Sequence, residues 1–280
     1  IGGNMNVLVT GGSGQLGSEI QANPHKKSCY YFTDINSLDI CDVQAIRAFV
    51  QLNNIGIIVN CAAYTNVDKA EDDSALATLI NHTAVENLVT VCKEHNLPLI
   101  HISTDYVFGG SKNTPYTETD PTTPLGVYGR TKLAGEQAIQ QAGIEHLIIR
   151  TAWLYSLRFG HNFQRLSAER TELKVVFDQV GTPTNASDLA DFIVQAVENL
   201  WYKGKREVYH FSNEGVCSWY DFAVTIVVQS GNDCKVLPCR SDEFPSKVTR
   251  PAYSVLDKTK LKKDFNYPIP HWRHSFCGDK

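Results

Sequence analysis

The stretch "NVLVTGGSGQLGSEI", residues 6–20, places a glycine-rich loop between an apolar run and a helical pattern. Glycines spaced GxxGxxG permit a sharp turn and let the backbone approach a pyrophosphate closely, while the helix N-terminus offers free N–H groups to the anion. Because strand, loop and helix follow in that order, the stretch predicts a dinucleotide-binding unit. The predicted cofactor contacts in this loop are Gly11, Gly14, Gln15, Leu16 and Gly17.

Short β-rich runs alternate with helical patterns through the first 180 residues. Apolar runs without polar alternation suit strands that are covered on both faces, and their alternation with helices indicates right-handed βαβ units. The predicted fold class is α/β: a Rossmann-type doubly wound parallel sheet with a smaller, interleaved C-terminal substrate domain. The strands of this sheet are predicted at 6–10, 28–33, 56–61, 97–103, 146–151 and 173–177.

The pattern loosens after about residue 155, where proline-bearing loops appear. We expect a dinucleotide-binding domain over residues 5–155, to which later segments near 173–190 and 235–258 return, and a mainly substrate-binding domain over 156–280. The polar stretch 109–126 is too long for a tight turn and is expected to be a functional lid or a disordered loop. Helices in the second part are predicted at 161–170, 187–200 and 218–230.

Composition excludes several classes of protein. A chain of 280 residues with 42% apolar content can bury a large core, and a formal charge of -4 argues against a nucleic-acid or membrane surface. No apolar run reaches the ~20 residues of a membrane span, and no signal peptide is evident, so a cytoplasmic location is expected. The eight cysteines form no CxxC pair and are expected to be reduced and mostly buried. Residues 1–4, before Met5, resemble the remnant of an expression tag.

A candidate catalytic set follows the fourth predicted strand. Thr104 lies at the end of that strand, and Tyr128 and Lys132 follow 24 residues later as YxxxK at the start of a helical pattern. Ligands of open parallel sheets bind beyond the carboxyl ends of the strands, so these side chains are expected to face the same crevice as the glycine loop. This Thr, Tyr, Lys arrangement, together with the glycine loop, is that of the short-chain dehydrogenase/reductases.

The reduction of a ketone explains why these residue types are needed. Hydride addition builds negative charge on the oxygen, and a phenol with a pKa near its ordinary value of about 10 is a sluggish proton donor at neutral pH. Lys132 is therefore expected to lower the pKa of Tyr128 by stabilising the phenolate, and to hold the nicotinamide ribose. Thr104 is expected to orient the carbonyl through a hydrogen bond.

The adenosine end of the cofactor is predicted at Asp34, 17 residues after Gly17 and at the end of the second strand. A carboxylate there can accept hydrogen bonds from the ribose hydroxyls and repels a 2'-phosphate, which favours NADH, although Lys26 or Lys27 could offset the repulsion. Asp39 and Ile40 are candidates to flank the adenine. A helix cap is the alternative role for Asp39.

Seven segments together resemble the dTDP-4-dehydrorhamnose reductases, which make dTDP-L-rhamnose for bacterial surface polysaccharides. The match is ordered and runs from Met5 to about Trp272. The segments are "MNVLVTGGSGQLG", "VNCAAYTNVDKAE", "ISTDYVFGG", "PLGVYGRTKLAGE", "IIRTAWLY", "DQVGTPTNASDLA" and "RPAYSVLD".

The resemblance implies an enzyme that reduces the C4 ketone of dTDP-4-dehydro-L-rhamnose with NADPH or NADH. Residues 156–280 would then bind mainly the sugar nucleotide. Arg250 and Asn162 are candidates to contact the pyrophosphate, Arg250 because a guanidinium matches phosphate in bidentate fashion. Three substrate contacts have an alternative role: Trp153 as a core aromatic, Arg250 as a surface salt bridge, Asn162 as a helix cap. The implied catalytic residues are Thr104, Tyr128 and Lys132, the implied further cofactor contacts are Ala62, Ala63 and Thr65, and the substrate contacts are Asp105, Tyr106, Trp153, Asn162 and Arg250.

Two expectations concern metals and partners. Some members of the family are dimers bridged by magnesium that glutamates bind, one of them in the glycine loop, where this chain has Gln15. An amide supplies no anionic oxygen, so we expect no metal, although the resemblance allows a homodimer. The only partner expected is the small-molecule sugar nucleotide; neither nucleic acid nor a membrane is expected.

Two other kinds of protein share parts of the pattern. Sugar-nucleotide epimerases and 4,6-dehydratases have the same fold and triad, but dehydratases carry a Glu after the strand-end Asp, where this chain has Tyr106. A regulatory subunit of methionine adenosyltransferase resembles these reductases and binds the cofactor without catalysis. The intact set of Thr104, Tyr128 and Lys132 favours an enzyme.

Overall fold

The structure, a computed structural model, describes residues 4–278, so what was expected of residues 1–3 lies outside the described residues. The strands are β1 Asn6–Thr10, β2 Cys29–Phe32, β3 Ile57–Asn60, β4 Leu99–Thr104, β5 His146–Thr151, β6 Leu154–Tyr155, β7 Glu172–Val176, β8 Val180–Gly181, β9 Thr184–Asn185, β10 Arg206–His210, β11 Cys217–Ser218 and β12 Lys235–Cys239. The helices are α1 Gln15–Ala22, α2 Val43–Leu52, α3 Val67–Asp72, α4 Ser74–Thr78, α5 Ala84–His95, α6 Val127–Ala142, α7 Asn162–Glu169, α8 Ala186–Glu198, α9 Trp219–Ser230, α10 Thr259–Phe265 and α11 Trp272–Cys277.

A six-stranded parallel sheet forms the centre of the molecule, in the order β10-β5-β4-β3-β1-β2. The chain runs from β1 to β2 on one side and then crosses to β3 on the other. The strand order therefore reverses between β1 and β3, which is where doubly wound sheets bind their ligands. The predicted fold class is confirmed.

Side chains of β1 alternate between two apolar layers. Val7 and Val9 pack with α1 and α8 on one face, and Leu8 packs with α2 and α5 on the other. All three are fully buried, as expected of a central parallel strand. The two layers fix where β1 ends and thus where the glycine loop begins.

The sixth strand was assigned wrongly from the sequence. The run predicted at 173–177 forms β7, which pairs with β12 in a separate two-stranded sheet, and the sixth strand of the main sheet is β10, beside β5. As an edge strand with exposed Arg206 and Glu207, β10 has no continuous apolar run to reveal it. Residues 186–190 begin α8, which packs on the main sheet, whereas β7 and β12 pair with each other; the division into two domains stays a prediction.

The helices predicted in the second part are confirmed as α7, α8 and α9, within two residues at each end. The stretch 109–126 is not disordered, because Tyr116 is buried and bridges to Leu256. All eight cysteines are free, but only three are buried, four are half-buried and Cys29 is exposed, so "mostly buried" was too strong. Within residues 4–278 no helix is both long and apolar enough to cross a membrane.

Candidate active site

A cleft of about 800 Å³ opens at the carboxyl ends of β1, β3 and β4, where the strand order reverses. Its size is in the usual range for a small-molecule site. Gly17, Asn162 and Arg250 are not part of its lining. The predicted residues that line it are Gly11, Gly14, Gln15, Leu16, Asp34, Asp39, Ile40, Ala62, Ala63, Thr65, Thr104, Asp105, Tyr106, Tyr128, Lys132 and Trp153.

Two glycines of the loop have no room for a side chain, so the backbone can form the tight turn that a dinucleotide site requires. Gly11 has a φ of 63°, and a Cβ there would lie 2.6 Å from the Ala62 nitrogen. A Cβ on Gly17 would lie 2.3 Å from the Gly11 oxygen, so this glycine allows α1 to pack on the loop. Gly14 precedes α1 and has no side chain to cap it, so the first N–H groups of the helix remain available to an anion.

The end of the cleft expected to take the adenosine is acidic. Asp34 and Asp39 both line it, and their carboxylates also accept hydrogen bonds from backbone N–H groups of their own turns, Asn36 and Cys41 respectively. The cap of α2 is Asp42, not Asp39. Lys132 is the one Lys or Arg side chain in the lining of the described cleft.

Neither Lys26 nor Lys27 can offset the charge of Asp34, contrary to one possibility raised by the sequence. Both lysines precede β2 and Asp34 follows it, so the lysines lie at the other end of that strand from Asp34. The Lys26 ammonium donates to the carbonyl oxygens of Gln21 and Asn23, at the end of α1. The acidic character of this end of the cleft is therefore uncompensated by these lysines.

Helix α6 carries Tyr128 to the cleft through two local devices. Glu71 of α3 accepts a hydrogen bond from the Val127 N–H at 2.9 Å and so caps α6 in place of Gly126, which has no side chain. A Cβ on Gly129 would lie 2.2 Å from the Tyr106 carbonyl oxygen, so glycine lets the helix approach the end of β4. The rings of Tyr128 and Tyr106 then meet edge to face at 5.5 Å.

Thr104 and Asp105 form a hydrogen-bonded turn at the end of β4. The Thr104 hydroxyl donates to the Asp105 carboxylate at 3.1 Å and accepts from the Tyr106 N–H at 3.2 Å. Both side chains are buried, and both line the cleft. Burial raises the pKa of Asp105 to about 7, against the lowering effect of the hydrogen bond from Thr104.

This shift predicts how stability depends on pH. The carboxyl of Asp105 titrates at about 7 in the folded protein and an aspartate titrates at about 4 in an unfolded chain. Between those values the folded state binds more protons, so its stability falls as pH rises. Asp105→Asn removes this loss. We expect its Tm to exceed that of the wild type at pH values above the window and the difference to shrink at the lower end, as measured by differential scanning fluorimetry.

The control for that measurement is Asp242→Asn, which removes an exposed carboxylate. Its Tm should follow the wild-type pH dependence. A wild type and an Asp105→Asn variant with parallel Tm profiles would contradict the shift assigned to Asp105.

Lys132 lies one helical turn beyond Tyr128 and is 2% exposed. Its ammonium donates to the Ile102 carbonyl oxygen at 2.6 Å. Burial lowers the pKa of Lys132 to about 8, and the charges of Glu136 and Cys61 act in the opposite direction. Lys132 is therefore largely an ammonium at neutral pH and loses its charge in the mildly alkaline range.

The expected lowering of the Tyr128 pKa is wrong for this structure. Burial raises the pKa of Tyr128; the neighbouring Thr104 hydroxyl lowers it, and the charges of Asp105 and Tyr106 raise it further. Lys132, whose ammonium is held by Ile102, is not among the causes. The phenol of Tyr128 is thus fully protonated at neutral pH, which is the form that a proton donor requires.

The side of the cleft expected to take the substrate is aromatic. Trp153, with a φ of 47°, lines the cleft and stacks on Trp219 at a ring distance of 3.7 Å. It is half-buried, so it is both a packing residue and a cleft residue.

The two predicted phosphate contacts lie outside the lining. Arg250 donates to Asp68 at 2.6 Å and to the Tyr106 hydroxyl at 2.9 Å, so its salt-bridge alternative is confirmed. Asn162 is exposed and begins α7, but the cap of α7 is His161. The phosphate role of Arg250 and Asn162 stays a prediction.

Sequence reasoning missed several lining residues. Trp219 carried no signal, because a stacking partner far along the chain cannot be read from local pattern. Cys61 directly follows β3, and its position before Ala62 could have indicated it. Ser103 and Phe159 also line the cleft. Glu136 is fully buried and not part of the lining; it lies four residues after Lys132 and could have been found from helical spacing.

No group of three or more His, Cys, Asp or Glu side chains in the described part of the chain could hold a metal ion. The expectation of a metal-free protein stays a prediction.

The parallel sheet, the glycine loop and the Thr104, Tyr128 and Lys132 side chains at one cleft define a short-chain dehydrogenase/reductase. Comparison with known proteins narrows the class. Residues 5–277 match the family model described as "RmlD substrate binding domain". The chain is 37% identical to the dTDP-4-dehydrorhamnose reductase of Escherichia coli, over 96% of this chain and 95% of that protein.

Two solved structures carry the same description. The dTDP-4-dehydrorhamnose reductase of Clostridium acetobutylicum has a TM-score of 0.90 and 40% identity, with 98% of each chain covered. The Bacillus anthracis enzyme, solved in complex with NADP, has a TM-score of 0.90 and 36% identity, with 97% of each chain covered. The chain belongs to the dTDP-4-dehydrorhamnose reductase family, as the sequence resemblance predicted.

Proposed function

We propose that this protein reduces the C4 ketone of dTDP-4-dehydro-L-rhamnose to dTDP-L-rhamnose, the last step of dTDP-rhamnose synthesis, with NADPH or NADH as donor. The observation that carries the proposal is the convergence of Thr104, Tyr128 and Lys132 on the cleft that the glycine loop forms. Relatives of nearly equal length that bear this activity in their names support it. The cofactor, when bound, supplies the hydride.

The three catalytic residues have separate roles in this proposal. Tyr128 donates its phenolic proton to the oxygen on which charge develops, and Thr104 orients that oxygen by a hydrogen bond. Lys132 binds the nicotinamide ribose; to stabilise the phenolate left after proton donation as well, its ammonium must turn from the Ile102 carbonyl oxygen towards Tyr128. The ammonium has three hydrogens, of which Ile102 takes one in this structure, so two remain for the ribose hydroxyls.

The remaining roles follow the shape of the cleft. Ala62, Ala63 and Thr65 line the cofactor beside the glycine loop, while Asp105, Tyr106 and Trp153 face the sugar nucleotide. From residues 156–278 the described lining includes Phe159 and Trp219, and this part of the chain is assigned to the sugar nucleotide. Asn162 and Arg250 are assigned to the pyrophosphate; for Arg250 this requires it to exchange Asp68 for the phosphate, which a guanidinium also binds in bidentate fashion.

The rival functions find less support. Tyr106 has no carboxylate that could act as the base in an elimination, and its hydroxyl accepts a hydrogen bond from Arg250. Both features argue against a dehydratase. An epimerase recycles tightly held NAD, so retention of NAD after dialysis would favour that function. Co-purification with a second protein and no turnover would favour a regulatory subunit.

The direct test is oxidation of NADH and of NADPH by the purified protein with dTDP-4-dehydro-L-rhamnose generated in situ. We expect oxidation with at least one cofactor and dTDP-L-rhamnose as the product identified by NMR. Absence of oxidation, or a product with another configuration at C4, would refute the proposal.

The acidic adenosine end predicts a preference for NADH. A 2'-phosphate beside Asp34 would face a carboxylate, and juxtaposed like charges cost several kcal/mol. Asp34→Ala should relieve this repulsion and also remove the acceptor for the ribose hydroxyls. We expect the Kd ratio of NADPH to NADH, measured by cofactor fluorescence, to fall about tenfold or more.

Asp39→Asn is the matched control for Asp34→Ala, because Asp39 lines the same end of the cleft and bonds its own turn. It should change the ratio less than Asp34→Ala does. A wild type that binds NADPH more tightly than NADH, with a ratio insensitive to Asp34→Ala, would contradict the assignment.

The finer expectations on partners and location remain proposals. The partner assigned is the small-molecule dTDP-sugar, with neither nucleic acid nor a membrane surface. A cytoplasmic location and a homodimer stay predictions, which fractionation and size-exclusion chromatography with light scattering would test.

A further inference from the structure

Behind the catalytic residues, a buried carboxylate lies on the same face of α6. Tyr128, Lys132 and Glu136 are spaced four residues apart, which places them in one row along the helix. Glu136 is 0% exposed. It lies at the far side of Lys132 from Tyr128 and takes no part in the proposed chemistry.

Two neighbouring strands hold this carboxylate in place. Arg150 of β5 donates to it from Nη2 at 2.7 Å and from Nε at 3.1 Å, and Ser103 of β4 donates to Oε2 at 2.6 Å. Arg150 is itself buried against the Phe108 ring. A charge-assisted, multiply bonded carboxylate of this kind has one fixed position.

Among the charged groups around Lys132, Glu136 is the one that favours its ammonium form. Burial raises the pKa of the Cys61 thiol to about 12, so at neutral pH it is uncharged. Burial also holds the pKa of His101 well below its ordinary value, so it too is neutral. Of the remaining neighbours, Tyr128 is a neutral phenol and Arg150 is a cation. The carboxylate of Glu136 is then the anion that the described residues bring to Lys132.

We propose that Glu136 is a positioning residue for the reduction: its carboxylate, fixed by Arg150 and Ser103, keeps Lys132 in the ammonium form inside the buried site. This inference rests on the proposed function and adds a residue to it. A buried lysine without a nearby anion releases its proton more readily, because desolvation disfavours the charged form. A neutral Lys132 would neither stabilise the phenolate of Tyr128 nor donate as strongly to a ribose.

The alternative is that Glu136 and Arg150 form an ion pair that serves the fold alone. The two views differ in what a neutral replacement does to Lys132. If Glu136 supplies charge, Lys132 must titrate at lower pH after Glu136→Gln. If it serves only packing, stability falls and Lys132 titrates as before.

The test measures the titration of Lys132 directly and does not depend on the substrate. Competitive labelling with acetic anhydride over a pH series, read at Lys132 by mass spectrometry, reports the fraction of neutral amine. The alkaline limb of the pH profile of kcat is the second readout. For Glu136→Gln we expect both midpoints to move down by about one pH unit or more.

Breaking a buried ion pair from one side is strongly destabilising, so a second variant is required. Glu136→Gln combined with Arg150→Met removes both charges and leaves no unpaired cation; its midpoints should still move down, but by less than in Glu136→Gln because the Arg150 cation is lost as well. Ser103→Ala is the matched control: it removes one hydrogen bond to the carboxylate and keeps the charge. Its midpoints should stay at the wild-type values.

Wild-type labelling midpoints in both Glu136 variants would overturn the proposal. A shift in Ser103→Ala as large as in Glu136→Gln would also overturn it, since the charge is intact there. If the wild type fails to reduce dTDP-4-dehydro-L-rhamnose while the labelling midpoint shifts as expected, the proposed reduction falls and the charge role of Glu136 stands.

Discussion

Replacing Tyr128 with phenylalanine is expected to lower kcat by about a hundredfold to ten-thousandfold, the usual cost of removing a general acid. The ring is retained, so its edge-to-face contact with Tyr106 and the start of α6 should be preserved. Affinity for NADH and NADPH should change little. Steady-state kinetics and fluorescence titration of the cofactor measure the two quantities separately.

Tyr64→Phe is the control for this substitution. The Tyr64 hydroxyl contacts Asp73 and is not part of the cleft lining, so its loss should leave kcat near the wild-type value. Wild-type turnover in Tyr128→Phe would mean that another group delivers the proton, and the assignment of Tyr128 would fall.

Lys132→Ala is expected to reduce both turnover and cofactor affinity. In the proposed reaction the ammonium stabilises the phenolate and binds the nicotinamide ribose. We expect kcat to fall about a hundredfold or more and the Kd for the cofactor to rise about tenfold, the latter corresponding to the loss of one charged hydrogen bond of about 1.5 kcal/mol. Stopped-flow and equilibrium fluorescence measure these changes.

Lys258→Ala is the control, because Lys258 is a second buried lysine that donates to Ser212 and Asn213 away from the cleft. It should lower stability without changing the cofactor Kd. Unchanged cofactor affinity in Lys132→Ala would show that the ribose contact is wrong, even if turnover falls.

The first part of the fold was readable because local pattern and global topology agree. The run that forms β1 is apolar on both faces, and the glycines that follow admit no side chain. Such a unit specifies where a parallel sheet must place its cleft. Thr104 ends β4, and Tyr128 lies at the start of α6, which packs beside that strand. The same rule therefore predicted that the two side chains meet at the cleft.

Features that depend on long-range contacts were not readable. The edge strand β10 is short and polar, so its pattern resembles that of a loop. The stack of Trp153 on Trp219 and the ion pair of Arg250 with Asp68 join segments that no local rule connects.

Electrostatic detail was the least predictable part of the site. Spacing places Lys132 beside Tyr128 on the helix, but the direction of the Tyr128 pKa depends on burial and on where the ammonium points. The carbonyl oxygen of Ile102 accepts a hydrogen bond from that ammonium. Backbone acceptors carry no signature in the sequence, so the sign of the shift could come only from coordinates.

In the proposed reaction, Tyr128 donates its proton to the C4 oxygen of the sugar at the N-terminus of α6. A crystal structure of the protein with NAD⁺ and dTDP-L-rhamnose bound tests it most directly. We expect a distance of about 2.6–3.2 Å between the Tyr128 Oη and the C4 oxygen, with the Lys132 Nζ on the nicotinamide ribose. A C4 oxygen held by other groups, out of hydrogen-bonding reach of Tyr128, would contradict it.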